Sequence, residues 1–475
     1  MKKRRHLVRA GLTIAIIALG MSAAGQTPAS SGSPTGAPLT LAAAIQMADA
    51  KYPAIRAAEE QQQAAQSDIG VARTAYLPRA DMLWQTSRST TNRPNVAVIP
   101  QPIVPIPSPP ARPVTGHSDW NSATGVLFAW QPFDFGERHA QVNVAKSGYE
   151  LAQQMTALSR LDVASAAAGA FFDVVAARQV VAVQQANVDR MEVFSKRVHV
   201  LVDNTLRPGA DASQADAQLA LARTQLIHAQ TQEQVRLEAL ANFLQVPAPQ
   251  IVINDKGILG EAPSPDVAET AAGVHPAAQQ EAALLDEQKE QIRALGRSYA
   301  PVFTLYGSAS GLGAGLSSTS SSPTFEGGTA GLAPNTYNWM AAFEVTFPAF
   351  QIVTIHRQKQ VQQAQADATK ATYQQILGDL SAQAREARAM LNGARSIAQN
   401  TPVEVTAARE SEQQQQARYK AGLATVIEVA TAEATLAQAE GDDALARLNV
   451  WRGLAGVAEA QGDLAPFLQL LNKQP

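Results

Sequence analysis

The sequence predicts a mainly α-helical protein with a small β part, built from one unit that occurs twice. Alanine and glutamine dominate runs such as "EEQQQAAQ" and "KQVQQAQADA", whereas only 5% of the residues are aromatic. This composition favours helices but supplies few bulky residues for a thick core. Two of the helical stretches are very long, and four short strand-like segments stand between the helices.

Residues 1–25 have the features of a secretory signal peptide. Several basic residues precede an apolar stretch from Gly11 to Met21, and "SAAGQ" offers a cleavage site after Ala24 or Gly25. The apolar stretch is too short to span a bilayer comfortably, so an uncleaved anchor is the less favoured alternative. Loss of the basic residues makes the mature chain more acidic than the formal net charge of −3, which argues against nucleic-acid binding.

The sequence contains no cysteine, which excludes disulfides, thiolate metal sites and a cysteine nucleophile. It also excludes a lipid anchor on an N-terminal cysteine. No later stretch reaches about 18 uninterrupted apolar residues, so no transmembrane helix is predicted. An exported chain of this kind is soluble in the periplasm, secreted, or inserted in an outer membrane as β-strands.

Each half of the chain opens with a helix bounded by prolines. The spacing from Pro53 to Pro78 equals the spacing from Pro276 to Pro301. An X-Pro pair suits the first turn of each helix, and a Tyr-X-Pro sequence ends it, because proline disfavours helix in the residue before it. This shared spacing is the first sign of duplication.

Two strand-like segments then flank a loop in each half. The first loop is rich in proline and the second in glycine and serine. Strands are predicted near residues 79–90, 121–134, 302–311 and 337–349. Each is about as long as a membrane-spanning strand. A small soluble sheet that caps a helical bundle is the alternative.

A very long helix follows each pair of strands. The sequence predicts helices over 137–203 and 353–420, each on the order of 100 Å long. They end at short tips, 206–212 and 420–425, after which helix resumes. The long duplicated order is strong evidence of architecture. It defines two repeats, 39–250 and 274–465, a linker over 251–273 and a C-terminal tail over 466–475.

Four strands cannot form a stable wall in lipid, because the open edges leave backbone groups unpaired. Several copies must therefore share one closed barrel. Two copies provide eight strands and three provide twelve.

Several segments together resemble the TolC-type outer-membrane efflux protein family, over nearly the whole mature length. The matching pieces are "LTLAAAIQMADAKYPAIRAAE" at 39–59, "ARTAYLPRADM" at 72–82, "WQPFDFGERHAQVNVA" at 130–145, "LRPGADASQADAQLALAR" at 206–223 and "RYKAGLATVIEVATAEATLAQAE" at 418–440. The resemblance implies a homotrimer with a twelve-stranded β-barrel on an α-helical barrel. It also implies a bacterial outer-membrane location, with the helical barrel in the periplasm.

The resemblance further implies an exit duct of a tripartite efflux or secretion system. Such a duct conducts substrates passively when docked to a periplasmic membrane-fusion adaptor and, directly or indirectly, to an inner-membrane transporter. A periplasmic adaptor is one alternative, although the chain lacks lipoyl-like and β-barrel domain regions. A soluble coiled-coil scaffold is the other.

The resemblance assigns adaptor docking to the two tips, at Gly209, Asp211, Gly422, Leu423 and Ala424. Glycine allows a tight reversal and a close backbone approach. Plain hairpin turns without a docking role are the alternative. Asp211 or Ser213 in the first tip, and Thr425 in the second, are expected to cap the returning helices.

The resemblance also implies a constricted periplasmic gate, for which Tyr419, Glu428 and Asp216 are the candidates. A ring of three carboxylates, one from each copy, attracts cations and disfavours anions. Thr431 stands where a second acidic residue occurs in the family. Asp211 is a further candidate for polar contacts in the gate, and ordinary solvated charges are the alternative for each aspartate.

The sequence offers no pattern for catalysis. None of the seven histidines belongs to a metal-binding pair, and there is no P-loop. "GLGAG" at 311–315 lies in a Ser/Thr-rich loop with no following helix. We therefore expect no enzyme activity, no cofactor and no metal site, and an energy source in the inner-membrane transporter.

Overall fold

The computed structural model describes residues 38–90, 118–255, 258, 271–314, 316–317, 324–325 and 329–472. The predicted signal peptide, the proline-rich loop and most of the predicted linker lie outside these residues.

The described residues form eight α-helices and six strands. In chain order these are α1 (Leu41–Lys51), α2 (Pro53–Thr74), β1 (Arg79–Thr90), β2 (Ser118–Phe133), α3 (Glu137–Asp203), α4 (Gly209–Leu244), α5 (Pro276–Arg297), β3 (Val302–Ala314), β4 (Leu316–Ser317), β5 (Thr324–Phe325), β6 (Thr336–Thr346), α6 (Gln351–Lys420), α7 (Val426–Ala460) and α8 (Ala465–Asn472). Short 3₁₀ turns stand at Ala248–Gln250 and Ala272–Val274. The prediction of a mainly helical chain with a small sheet is confirmed.

Helices α3 and α4 form one long hairpin, and α6 and α7 form the other. Alanines supply many of the buried positions along α4 and α7. Small side chains let the helix axes approach closely, so long helices pack in thin layers without bulky residues. The hairpins therefore need only a narrow buried stripe.

A thicker core lies where α1 and α8 add to the hairpins. Phe171 and Phe172 of α3, Trp451 of α7 and Phe467 of α8 are almost completely buried there. The Phe467 ring stands edge-on to Trp451 and Phe172, with centroids 6.3 and 6.4 Å apart. Most of the predicted tail is thus a packed helix, because its apolar residues cover this core.

Helix α3 contains the one stretch, among the described residues, that is long and apolar enough to cross a membrane by length and composition. Phe171, Phe172, Val174 and Val175 of this helix belong to the protein's own core, and 39% of the apolar stretch is buried within the chain. The stretch therefore gives no independent evidence of a membrane helix.

The main sheet has the antiparallel order β1-β2-β3-β6, and β4 pairs with β5 separately. The sheet joins α3 through a buried polar junction. Arg138 Nε donates to Asp134 Oδ2 at 2.7 Å, and the guanidinium lies 4.9 Å from the Tyr76 ring centroid. Burial alone raises the pKa of Asp134, but hydrogen bonds from Arg138 and the Gly136 amide lower it overall. This junction fixes the sheet on the helices.

Candidate functional site

The main sheet has one apolar face. Directly opposed residues of antiparallel strands point to the same side, so the register Met82–Val126–Ala309–Trp339 runs across all four strands on one face. The same face carries further apolar side chains. These are Trp84, Phe128, Trp130, Leu305, Ala341, Phe343 and Val345.

The opposite face is largely polar. The register Asp81–Leu127–Ser308–Met340 and its neighbours carry these side chains. The polar members are Asp81, Gln85, Ser87, Asn121, Thr304, Ser308, Ser310, Asn338, Glu344 and Thr346. An antiparallel sheet with one apolar and one polar face suits a boundary between two different solvents.

The apolar face is not covered by other parts of the described chain. Trp84 and Trp339 are 79% and 83% exposed, and they stand on the two edge strands, β1 and β6. Exposed apolar surface of this kind marks a contact with a membrane or a partner. The soluble cap considered from the sequence would leave these indoles in water.

The first hairpin reverses at residues 204–208. The Leu206 amide donates to the Leu201 carbonyl at 2.9 Å, and the Thr205 amide donates to the Val202 carbonyl at 2.8 Å. This is a Schellman motif, in which the residue after the C-cap adopts a left-handed conformation. Thr205 occupies that position, with φ of 57°.

The second hairpin reverses with the same hydrogen bonds. The Leu423 amide donates to the Arg418 carbonyl at 2.8 Å, and the Gly422 amide donates to the Tyr419 carbonyl at 3.0 Å. Gly422 takes the left-handed position, with φ of 79°. Gly422 therefore corresponds to Thr205 and Leu423 to Leu206.

Two expectations for the first tip are corrected. Gly209 is not the left-handed residue of the reversal but the first residue of α4. Asp211 is not the N-cap, because Pro208 holds that position and Asp211 lies in the first turn. No sequence pattern marks Thr205 as the residue of the reversal, since the left-handed conformation is sterically unfavourable for threonine but not for glycine.

The tips present two matching leucines. Leu206 is 69% exposed and Leu423 is 70% exposed, whereas Ala424 is buried. Leu206 was not among the predicted docking residues. The shared Schellman motif identifies it, because the motif holds both leucines in equivalent positions.

The two hairpins touch at Tyr419. Its buried ring lies 5.4 Å from the Phe194 ring and 4.4 Å from the guanidinium of Arg207. Arg207 Nη2 also donates to the Tyr419 carbonyl at 2.6 Å, while Nη1 lies 3.8 Å from the Asp211 carboxylate. Burial and the charge of Asp211 raise the pKa of the Tyr419 phenol, which keeps it neutral. Sequence reasoning missed Arg207, although it lies within the quoted tip motif.

Asp216 connects the two helices of the first hairpin. Its carboxylate accepts a hydrogen bond from Ser195 Oγ at 2.9 Å and contacts His199 Nε2 at 3.0 Å. The hydrogen bonds from His199 and Ser195 lower the pKa of Asp216. The structure therefore gives this exposed carboxylate a contact within the hairpin.

Glu428 caps its own helix. Its carboxylate accepts a hydrogen bond from the Thr425 amide at 2.6 Å, and its amide donates to Thr425 Oγ1 at 3.3 Å. This reciprocal pair is a capping box, and the expected capping by Thr425 is confirmed. The hydrogen bonds from Thr425 lower the pKa of Glu428, which stays ionised and exposed.

The structure thus brings Tyr419 and Asp211 together around Arg207. Asp216 and Glu428 lie apart from this group, and each contacts residues of its own hairpin. Among the described residues, no group of histidine, aspartate or glutamate side chains is arranged to hold a metal ion.

Comparison with known proteins identifies the family. Residues 44–244 match the model of the outer membrane efflux protein family. This stretch of the chain is similar to that family. The predicted resemblance to the TolC-type family is confirmed. The predicted outer-membrane location is confirmed at the level of the matching family.

Solved outer-membrane channels share the fold of this chain. The Campylobacter jejuni outer membrane channel CmeC has a TM-score of 0.69 at 16% identity, covering 91% of this chain and 89% of that chain. VceC from Vibrio cholerae has a TM-score of 0.68 at 17% identity, with coverages of 89% and 96%. The channel OprN has a TM-score of 0.69 at 16% identity, and 90% of each chain is covered. No curated protein matches by sequence.

Thr425→Ala should loosen the start of α7. Loss of one half of the capping box should cost about 1 kcal/mol, which is roughly a fivefold loss of protection if the helix opens locally. Hydrogen exchange of the amides of residues 425–429 measures this, and Thr425→Ser, which keeps the hydroxyl, is the control. Equal protection in all three proteins would show that the box does not stabilise the tip.

Proposed function

We propose that three copies of this chain form an outer-membrane exit duct. The observation that carries the proposal is the exposed, apolar face of a four-stranded sheet whose edge strands are β1 and β6. In lipid, the free backbone groups of these edges need partners. Strand β6 of one copy pairing with β1 of the next supplies them and closes a barrel.

Three copies give twelve strands, with the polar face directed into the lumen and the apolar face toward lipid. The long hairpins then continue the wall as an α-helical barrel in the periplasm. Asp81, Glu344 and Thr346 lie on the lumen face near the helical end of the sheet. In this arrangement, residues 39–250 and 274–465 are the two structural repeats of each copy.

The tips are the proposed contact for a periplasmic membrane-fusion adaptor. Leu206 and Leu423 present exposed apolar side chains at equivalent positions. Gly422 and Ala424 flank Leu423, and Gly209 and Asp211 lie in the first turn of α4 beside Leu206. An adaptor with apolar side chains at its own hairpin tip fits such a surface. An inner-membrane transporter supplies the energy, because the duct itself conducts passively and is not an enzyme.

The gate is proposed at the second tip. Tyr419 ties this hairpin to Arg207 of the first, so the two hairpins can separate only when that contact breaks. Glu428 supplies an exposed carboxylate one turn beyond the tip, and Asp216 joins the two helices of the first hairpin. Neither a periplasmic adaptor nor a soluble scaffold requires an exposed, aromatic-rich sheet face.

The mass of the protein in mild detergent tests the duct directly. We expect a particle of three chains, resistant to dilution, with stepwise conductance in planar bilayers. Because β1 and β6 need partners in an apolar phase, a stable single chain should not occur. Folded single copies in the membrane-embedded state would contradict the proposal.

Two neighbouring alanines of β6 test the orientation of the sheet. Ala341 lies on the apolar face, opposite Gly307, and Ala342 lies on the polar face, opposite Tyr306. Ala341→Lys should cost about 2–4 kcal/mol near the bilayer midplane, whereas the lumen tolerates charge. The amount of assembled protein in outer-membrane fractions should fall strongly for Ala341→Lys and little for its matched control, Ala342→Lys. The reverse order would exclude this orientation.

Glu428→Gln separates the charge at the gate from the helix cap. Glutamine retains an oxygen for the Thr425 amide but carries no charge, so the tip should stay folded while the cation preference falls. The reversal potential in a salt gradient across a bilayer measures the preference. Glu410→Gln, an exposed position on α6, is the control. An unchanged reversal potential for Glu428→Gln would remove Glu428 from the gate.

A further inference from the structure

A pair of acidic side chains is buried inside the second hairpin, above the tip. Glu433 of α7 is completely buried, and Glu412 of α6 is 8% exposed. Carboxylates are seldom buried without a compensating cation or proton. Two of them side by side therefore need an explanation that the capping and tip contacts do not give.

The contacts of Glu433 come from three sources. Gln416 Nε2 of α6 donates to Glu433 Oε1 at 3.0 Å, and Arg190 Nε of α3 lies 3.0 Å from Oε2. The third neighbour is Glu412, whose carboxyl group helps to raise the pKa of Glu433. Two such carboxyl groups can share a hydrogen bond only when one of them carries a proton.

The surrounding charges do not neutralise both acids. Arg190 also pairs with Glu440 of α7 at 3.1 Å, and Arg409 of α6 lies 3.3 Å from the same carboxylate. With every group ionised, Glu412, Glu433 and Glu440 outnumber these two guanidinium groups. One proton shared by Glu412 and Glu433 makes the number of negative charges equal to the number of guanidinium groups.

The charged groups on the other helices packed against the acid pair either have partners of their own or lie at the edge of the adjacent cavity. Arg223 of α4 pairs with Glu192 of α3. Asp189 accepts a hydrogen bond from Gln185, and Arg197 borders the same cavity as Arg190, about 340 Å³ in volume. No second cation in the described part of this cluster contacts Glu433 directly.

We propose that Glu412 and Glu433 share one proton and form a pH-sensitive clamp between α6 and α7. The protonated pair holds the two helices together through its hydrogen bond. Loss of the proton leaves two like charges in a buried site, which favours separation of the helices. Glu412, Gln416 and Tyr419 follow one stripe of α6, so the clamp lies on the same face as the contact between the hairpins.

The direction of the pH effect follows from the acid pair. Burial, the charge of Glu412 and its hydrogen bond raise the pKa of Glu433 from 4.5 to about 7. A raised pKa means that the closed hairpin binds more protons than the open one. The clamp is therefore fully effective below about pH 4.5 and is lost as the pH rises through about 7.

For the proposed duct, this clamp makes opening of the periplasmic end easier in a neutral or alkaline medium than in an acidic one. That consequence rests on the proposed function, whereas the clamp itself does not.

Hydrogen exchange of the full mature protein in detergent tests the clamp. After correction for intrinsic rates, local opening in peptides covering residues 408–436 should increase about tenfold between pH 6 and pH 8. Glu412→Gln removes the like charge and should reduce this increase to about twofold or less. The matched control, Glu410→Gln, should keep the full increase, because Glu410 is exposed on the same helix.

A wild-type increase below twofold, or a tenfold increase retained in Glu412→Gln, would overturn the proposal. Should Glu412→Gln fail to fold, Glu433→Gln provides the same test, because its amide cannot ionise. Exchange requires no conductance, so a pH-dependent clamp in a chain that forms no pore would contradict the duct and leave the clamp intact. A conducting trimer with pH-independent exchange would contradict the clamp and leave the duct intact.

Discussion

The backbone of the two edge strands is the constraint on which the rest of this structure depends. Strands β1 and β6 carry exposed indoles on the apolar face, at Trp84 and Trp339, which are unfavourable in water. The same strands are the edges of the sheet, and their unpaired backbone groups are unfavourable for a single copy in lipid. In hydrocarbon, each unpaired amide or carbonyl costs several kcal/mol. In the proposed assembly, lateral pairing between copies satisfies the backbone groups, and lipid covers the apolar side chains. The junction of Asp134 with Arg138 then transmits the position of each sheet to its long helices.

Polar contacts, more than bulky side chains, set the alignment of those helices. Thr401 Oγ1 donates to Asp443 Oδ1 at 2.8 Å in a buried position, and Arg447 pairs with the same carboxylate. Pro402 lies inside α6, where proline normally disrupts a helix, yet the helix continues past it. Two alanine stripes pack almost equally well at several relative positions of the helices. A buried hydrogen bond forms at only one of these positions and therefore sets the alignment. The aromatic core around Trp451 is confined to the level where α1 and α8 are added.

The sequence predicted the features that depend on neighbouring residues alone. It did not predict those that depend on contacts between residues far apart in the chain. Composition and the proline-bounded spacing predicted the mainly helical class, and Thr425 was recognised as a cap. The first tip was misread because glycine is the usual residue in a left-handed turn, so Gly209 was matched with Gly422 in place of Thr205. The sequence predicts a tail where helix α8 packs, because that helix is held by contacts of Phe467 with aromatic rings distant in sequence. Arg207 and Glu433 gain their meaning only from residues on other helices.

The distribution of packing suggests why the tips, rather than the sheet end, can change shape. Near the tips the apolar cluster is small, formed by Phe194, Tyr419, Val426 and their neighbours, and it is reinforced by exposed polar contacts such as Asp216 with His199. Local opening requires least free energy where few apolar contacts are lost. The large core lies farther along the hairpins and resists such opening. The buried acid pair Glu412 and Glu433 lies between this large core and the small cluster at the tips. The proposed clamp therefore acts on a part of the hairpin where few apolar contacts oppose separation of the helices.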